Sequence, residues 1–132
     1  MCGAGGGSDR VVRGLGIDAV EVGRFRSLLE RRPRLRERLF TPAELASLAS
    51  RVDQAPSLAA RFAVREATMK ALGVGLGAFD FHDVEVESTE GGEPRLVVRG
   101  RAAELAREAG VHDWKVSITH TDQIAMAIVA AL

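Results

Sequence analysis

Apolar and polar residues alternate with two periods along this chain, and the periods predict its strands and helices. A period of two predicts strands over residues 11–20, 81–88, 95–99, 114–120 and 124–130. A helical period predicts helices over residues 21–39, 41–51, 57–73 and 101–109. Because short polar turns separate the last four strands in pairs, we expect two β-hairpins in the second half of the chain.

The ends of the predicted helices carry residues that favour helix initiation or termination. The segment Thr41-Pro42-Ala43-Glu44 matches a capping box with a proline in the first turn. Ser57 is expected to cap the longest helix, and Gly73 is expected to end it. Pro33 interrupts the arginine-rich helix that precedes them, because proline removes a backbone donor.

The first predicted strand carries a face of small residues. Gly14, Gly16 and Asp18 share that face, because alternate side chains of a strand point to the same side. Glycine inside a strand often marks a place where another group approaches the backbone closely. We therefore expect open space on the side to which Asp18 points, and we interpret it as the first indication of a site.

The predicted helix 57–73 places a carboxylate on a packing face. Glu66 lies between Phe62 and Met69 on the helix surface, and Lys70 follows it by one turn. A surface ion pair between Glu66 and Lys70 is the simpler interpretation. The alternative is that Glu66 binds a hard cation while Lys70 faces an anionic ligand. Together with Asp18, Glu66 would then supply the two carboxylates of an Mg²⁺ site.

Other motifs exclude several kinds of site. The glycine-rich loop 73–77 follows a helix, so it is neither a dinucleotide-binding fingerprint nor a P-loop. It is expected to stop the helix and to form a backbone edge beside Lys70. Ser117 and His120 point to opposite sides of one strand, which disfavours a serine nucleophile activated by that histidine. No histidine or cysteine spacing suits zinc.

Length and composition favour one compact domain in an intracellular, reducing compartment. The chain has 132 residues, of which 46% are hydrophobic and 27% charged. Residues 1–10 are expected to form a flexible glycine-rich tail, and residues 11–132 a single domain. No apolar run approaches the length of a membrane span, no signal peptide is expected, and Cys2 is the only cysteine. These features favour the cytoplasm.

The charges are balanced overall and concentrated locally. Lysine plus arginine and aspartate plus glutamate both number 18, so the chain as a whole does not favour nucleic acid as a partner. Seven arginines and three glutamates lie between residues 21 and 40. This basic segment is either a solvated helix or a docking surface for an acidic partner.

Taken together, five segments resemble the small holo-acyl-carrier-protein synthases, which are 4′-phosphopantetheinyl transferases. They follow the order and spacing of that family from about residue 12 to the last residue. The matching segments are Gly14-Leu15-Gly16-Ile17-Asp18, Arg24-Phe25, Phe40-Thr41-Pro42-Ala43-Glu44, residues 61–73 (RFAVREATMKALG) and residues 116–121 (VSITHT). The family fold is α+β, with a small antiparallel sheet packed against one long helix and several shorter ones.

The resemblance implies that the phosphopantetheine group of coenzyme A is transferred to a serine of an apo-acyl carrier protein, in fatty-acid or polyketide synthesis. Adenosine 3′,5′-bisphosphate would be released. Asp18 and Glu66 would hold Mg²⁺, Lys70 would contact the pyrophosphate, and Glu66 or a water that it orients would be the base. The residues expected to bind coenzyme A are Arg61, Lys70, Gly73, His120 and Thr121.

The resemblance also implies partners. Arg24, Arg26 and Arg31, with Arg32 as a further candidate, would dock the acidic carrier protein. The family usually assembles as a homotrimer with active sites between subunits.

One position departs from the family pattern, since Arg65 stands where a lysine usually precedes the helix glutamate. A non-catalytic module that binds carrier or coenzyme A is therefore the alternative function. A Mg²⁺-dependent hydrolase of nucleotide pyrophosphates is another.

Overall fold

A computed structural model describes residues 11–132, and its elements follow the predicted order. The predicted flexible tail at residues 1–10 lies outside the described residues. The strands are β1 (Gly14–Glu21), β2 (Val84–Ser88), β3 (Pro94–Val98), β4 (Trp114–His120) and β5 (Ile124–Ala131). The helices are α1 (Val22–Arg31), α2 (Leu35–Leu39), α3 (Pro42–Ser47), α4 (Ala55–Leu72) and α5 (Gly100–Glu108), with a 3₁₀ turn at Phe81–Asp83.

The strands form two antiparallel sheets. One sheet has the order β1-β5-β4, and the other is the β2-β3 hairpin. Both predicted hairpins, β2-β3 and β4-β5, are confirmed. The long helix α4 packs across the three-stranded sheet, and the resulting α+β architecture agrees with the predicted fold class. None of the helices in residues 11–132 is long and apolar enough to span a bilayer.

Two helix boundaries differ from the prediction, while the termination at Gly73 is confirmed. Gly73 ends α4 in the left-handed region, with φ 71°. The prediction that Ser57 caps this helix is wrong. The helix starts earlier, because the Asp53 carboxylate accepts the backbone N–H of Ala55 and Pro56 favours the first turn. Ser57 itself is buried within the helix.

The helix α3, which is capped by Thr41, has the predicted capping box but ends sooner than expected. It stops at Ser47 rather than at residue 51. The carbonyl of Leu48 instead accepts the backbone N–H of Arg51 in a turn, and the side-chain amide of Gln54 donates to the same carbonyl. The strand predicted from residue 81 likewise begins at Val84, because the Asp80 carboxylate accepts the N–H of His82 and bends the chain into the 3₁₀ turn.

The glycine face of β1 is packed against the main chain of α4, so the open space predicted beside it is absent. A Cβ atom at Gly14 would lie 1.9 Å from the carbonyl oxygen of Ala71. At Gly16 it would lie 1.8 Å from the carbonyl oxygen of Ala67. The glycines therefore mark a close approach by the helix, which brings the strand bearing Asp18 into contact with the helix bearing Glu66.

The opposite face of the three-stranded sheet is apolar and uncovered. Leu15 and Ile17 of β1 are 60% and 55% exposed, and Ile128 of the central strand β5 is 43% exposed. Ile17 pairs directly with Ile128, and Ala19 pairs with Met126, so these side chains form one continuous surface. We call the face formed by Leu15, Ile17, Met126 and Ile128 the free sheet face.

Candidate active site

An open groove of about 1140 Å³ lies beside the C-terminal end of β1. Asp18 of β1 and Glu66 of α4 line it, and Arg24 and Arg31 reach it from α1. Its apolar wall includes Phe25, Leu28 and Phe62, and its polar rim includes Glu21, Ser27, Asp122 and Gln123. The groove therefore brings four carboxylates, two arginines and an apolar surface together.

Lys70 joins this cluster because α4 lies so close to β1. Its Nζ atom donates to the backbone carbonyl of Ile17 at 2.9 Å and lies 3.4 Å from Oδ1 of Asp18. The Lys70 side chain is 55% exposed. Its ammonium group is thus held at the site by one carbonyl and one carboxylate, and it remains accessible to an anionic ligand.

The electrostatics of Glu66 reflect partial burial beside another carboxylate. Burial is the main reason why the pKa of Glu66 is raised, and the negative charge of Asp18 raises it further. The ammonium group of Lys70 acts in the opposite direction and lowers the pKa. A cation between the two carboxylates would therefore stabilise their charged forms.

The donor set fits a hard divalent cation. Asp18 and Glu66 supply carboxylate oxygens, and their mutual repulsion is the kind that Mg²⁺ relieves. Within residues 11–132, no group of three or more histidine, cysteine, aspartate or glutamate side chains could hold a metal. Two protein carboxylates leave further coordination positions to water and to a substrate, which suits Mg²⁺.

The residues predicted to bind coenzyme A are distributed around the site. His120 ends β4 as an exposed residue. Thr121 closes the β4–β5 turn, since its hydroxyl oxygen accepts the N–H groups of Gln123 and Ile124, both at 3.1 Å. Gly73 lies at the end of α4, one residue after its last turn. The contacts of these residues with coenzyme A stay predictions.

Arg61 lies on a different side of α4 from the two carboxylates. Its Nη1 atom donates to the carbonyl of Ser57 at 3.4 Å, and its Nε atom is 4.0 Å from Glu44 Oε2. Burial is the main reason why the pKa of Arg61 is lowered. The groove formed by this one chain does not include Arg61, so its predicted contact with coenzyme A remains a prediction.

The predicted docking arginines also separate into two sets. Arg24 lines the groove and forms an exposed ion pair with Glu21 at 3.2 Å. Arg31 also lines the groove. Arg26 lies away from it and pairs with Asp53 at 2.6 Å, where both side chains border a second cavity of about 410 Å³.

The sequence interpretation missed a buried ion pair next to the site. Arg65 and Glu44 are both fully buried, and two hydrogen bonds of 3.0 and 2.5 Å join the guanidinium to the carboxylate. The capping box drew attention to Glu44 only as a local helix signal. Asp122 and Gln123, which line the groove, were also missed, because a turn sequence gives no indication of what lies opposite it.

The sequence profile described as the 4′-phosphopantetheinyl transferase superfamily matches residues 14–129, and the chain belongs to this family. It is 47% identical over 113 residues to the holo-acyl-carrier-protein synthase of Moorella thermoacetica, covering 86% of this chain and 88% of that protein. The predicted family and enzyme class are confirmed.

Solved structures of the family have the same fold. The holo-acyl-carrier-protein synthase of Neisseria meningitidis matches with a TM-score of 0.84 at 27% identity, covering 92% of this chain and 99% of that one. The enzyme of Helicobacter pylori, solved in complex with coenzyme A, matches with a TM-score of 0.78 at 27% identity, covering 89% and 99%.

Proposed function

We propose that the groove transfers the 4′-phosphopantetheine group of coenzyme A to a serine of an apo-acyl carrier protein, with Asp18 and Glu66 as the ligands of Mg²⁺. The observation that carries the proposal is the convergence of Asp18, Glu66 and Lys70 beside an open groove. Two carboxylates and an exposed ammonium group match a substrate that combines a pyrophosphate with a divalent cation.

The reaction breaks the phosphoanhydride bond of coenzyme A and forms a phosphodiester on the carrier serine. The serine oxygen forms a bond to the phosphorus that carries pantetheine, while the bond from that phosphorus to adenosine 3′,5′-bisphosphate breaks. The serine proton leaves to Glu66, directly or through an ordered water. When bound, Mg²⁺ neutralises the charge that builds up on the phosphate oxygens.

Lys70 supplies the second positive charge. Its ammonium group lies 3.4 Å from Asp18, which lines the groove, and its side chain is exposed, so it can turn to a pyrophosphate oxygen. Positioning and charge neutralisation are the main requirements of phosphoryl transfer. The remainder of coenzyme A is proposed to be held by His120, Thr121, Gly73 and Arg61. Because Arg61 lies outside the groove of its own chain, its contact is proposed to occur in a site shared with a neighbouring subunit.

The acidic carrier protein is proposed to dock on α1. Arg24 and Arg31 lie along the groove, so a carrier bound there would present its serine to Glu66. Arg26 is proposed to contribute at the edge of that surface, after exchange of its partner Asp53. The enzyme is proposed to act in the cytoplasm, on carriers of fatty-acid or polyketide synthesis.

The free sheet face is proposed to be the subunit interface of a homotrimer. A continuous apolar surface on a small protein marks an interaction site, and the occupant proposed is a second copy of this chain. Its neighbours Ile124 and Glu21 pair at the end of β1, where they also line the groove. The interface and the active site would therefore share a border, as sites between subunits require.

The transfer is tested by intact-mass spectrometry of an apo-acyl carrier protein incubated with this enzyme, coenzyme A and Mg²⁺. We expect the carrier to gain one phosphopantetheine group, and we expect a chelator to abolish the gain. Glu66→Gln should abolish it too while the protein stays folded, whereas Glu87→Gln, an exposed glutamate on β2, should leave it intact. Full activity of Glu66→Gln at saturating Mg²⁺ would exclude the proposed metal site.

A further inference from the structure

Arg65 is a buried cation that the transfer mechanism leaves without a role. Among the described residues it is the largest side chain that is fully buried, and it directly precedes Glu66 on α4. Successive residues of a helix point about 100° apart, so Arg65 faces the interior while Glu66 faces the groove. A buried charge is costly unless it is paired, and its partners therefore indicate what it does.

The partners of Arg65 come from three separate segments of the chain. Its Nη1 and Nη2 atoms donate to the two carboxylate oxygens of Glu44 on α3, and its Nε atom donates to the carbonyl of Phe81 at 2.9 Å. The guanidinium also lies 5.2 Å from the ring centre of Phe40. A lysine could not make this set of contacts, because the planar fork of arginine reaches several acceptors at once.

Glu44 completes the network on the other side. Its Oε1 atom accepts the backbone N–H of Thr41 at 2.9 Å, and its Oε2 atom accepts the backbone N–H of Val86 at 3.0 Å. The carboxylate therefore joins the start of α3 to β2 and, through Arg65, to the middle of α4. These bonds fix the rotation and the axial position of α4 at the turn from which Glu66 projects.

A chain of aromatic contacts leads from the same network to the groove. Phe81, whose carbonyl is held by Arg65, has its ring 6.2 Å from that of Phe62. Phe62 lies 5.3 Å from Phe25 of α1, and these two rings form part of the groove wall. The buried pair thus supports both the helix that bears Glu66 and the apolar wall beside it.

Glu66 depends on this support. Within residues 11–132 its carboxylate forms neither a hydrogen bond nor an ion pair, so the backbone of α4 determines where it lies. We infer that Glu44 and Arg65 are positioning residues for Glu66, setting the separation of the two carboxylates and hence the affinity for the divalent cation. The inference rests on the proposed metal site at Asp18 and Glu66.

The test measures Mn²⁺ binding to the full-length protein by electron paramagnetic resonance of the free ion, together with thermal unfolding. Arg65→Lys keeps the charge but loses the fork. We expect it to bind Mn²⁺ about tenfold more weakly than the wild type, as is usual when a residue supporting a metal ligand is lost. Glu85→Gln is the matched control, because it breaks another ion pair on β2, with Arg99. It should bind Mn²⁺ as the wild type does.

A double variant separates positioning from folding. Replacing both charges, as in Glu44→Leu with Arg65→Met, removes the cost of an unpaired buried charge, so thermal stability should recover. The Mn²⁺ affinity should stay low, because the double variant still lacks the hydrogen bonds that Glu44 accepts from Thr41 and Val86 and the one that Arg65 donates to Phe81. Recovery of both properties together, or wild-type Mn²⁺ affinity in Arg65→Lys, would overturn the inference and leave the pair a purely structural role.

The wild type and Asp18→Asn distinguish this result from failure of the metal site itself. If the wild type binds Mn²⁺ and Asp18→Asn does not, the metal site stands, and the Arg65 and Glu44 variants decide the inference alone. If the wild type shows no Mn²⁺ binding that depends on Asp18, both the metal site and the inference are wrong.

Discussion

At Gly16 the strand that bears Asp18 packs directly against the main chain of the helix that bears Glu66. A Cβ atom there would overlap the carbonyl oxygen of Ala67, the residue that follows Glu66. The two carboxylates belong to segments 48 positions apart in sequence, so their meeting depends on this contact. The close approach of the two segments therefore requires a residue without a side chain at this position.

Gly16→Ala should destabilise the protein and increase the distance between Asp18 and Glu66. The overlap forces α4 away from β1, and we expect a loss of about 3 kcal/mol in the free energy of unfolding, typical of overpacking. Gly91→Ala is the control, since nothing lies within 4 Å of its added Cβ. Urea unfolding of both variants checks the prediction, and equal stability of the two would contradict it.

The raised pKa of Glu66 predicts how the metal-free protein responds to pH. A carboxyl group with a raised pKa in the folded state contributes stability below its unfolded pKa, and that contribution is lost as pH rises through the folded pKa. The stability of the wild type relative to Glu66→Gln should therefore fall as pH rises above about 4, the pKa of an unperturbed glutamate. Mg²⁺ should restore it, because the cation neutralises the pair.

The prediction is checked by the difference in free energy of unfolding between the wild type and Glu66→Gln, measured across pH with and without Mg²⁺. A difference that rises with pH in the metal-free protein would mean that Lys70, rather than burial and Asp18, dominates the environment of Glu66.

At the scale of elements, α1 combines a buried apolar face with an arginine-rich surface. Val22, Phe25 and Leu29 are buried against the core, which leaves Arg24 and Arg31 on the groove side. The helix can therefore present charge to a partner without any loss of packing. Its ion pair between Arg24 and Glu21 is exposed and contributes little to stability.

Arg24→Glu should weaken carrier docking selectively. We expect the KM for the acidic carrier to rise about tenfold, because charge reversal replaces attraction by repulsion at the interface. The KM for coenzyme A should barely change. Arg107→Glu on the exposed side of α5 makes the same charge change elsewhere and serves as control. Steady-state kinetics with each substrate varied in turn check this, and equal effects on both substrates would exclude docking at Arg24.

The sequence predicted most elements because each has a local cause. Gly73 ends α4, and the capping box starts α3, through bonds between residues close in sequence. The prediction from local sequence was wrong at Ser57, because the carboxylate of Asp53 accepts the backbone N–H of Ala55 at the start of α4. The pairing of Arg65 with Glu44 joins positions 21 apart and leaves no periodic signal. What a strand face packs against is also non-local, which is why the space beside Gly16 was misjudged.

At the scale of the whole molecule, the three-stranded sheet has one face covered by α4 and one face uncovered. The covered face organises the site, since β1 and α4 carry its charged groups. The free sheet face carries apolar side chains of β1 and β5 that solvent would not favour. The two faces thus differ in the functions proposed for them, catalysis on one side and assembly on the other.

Ile128→Glu should dissociate the proposed trimer. A charge on the central strand of the free sheet face would be buried in the interface, so we expect monomers in light scattering after size-exclusion chromatography. Activity should fall with the loss of the shared site. Val52→Glu, at a fully exposed apolar residue far from this face, should keep the wild-type mass. A wild type that is itself monomeric at the assay concentration would contradict the proposed assembly.

The contact between β1 and α4 also limits how this site can evolve. At most buried positions a larger side chain can be tolerated when a neighbouring side chain becomes smaller. Here the atoms that a side chain at Gly14 or Gly16 would meet belong to the main chain of Ala67 and Ala71. No substitution at a second position can remove main-chain atoms. Reversion at the same codon is therefore the direct way for a lineage that loses either glycine to restore this contact.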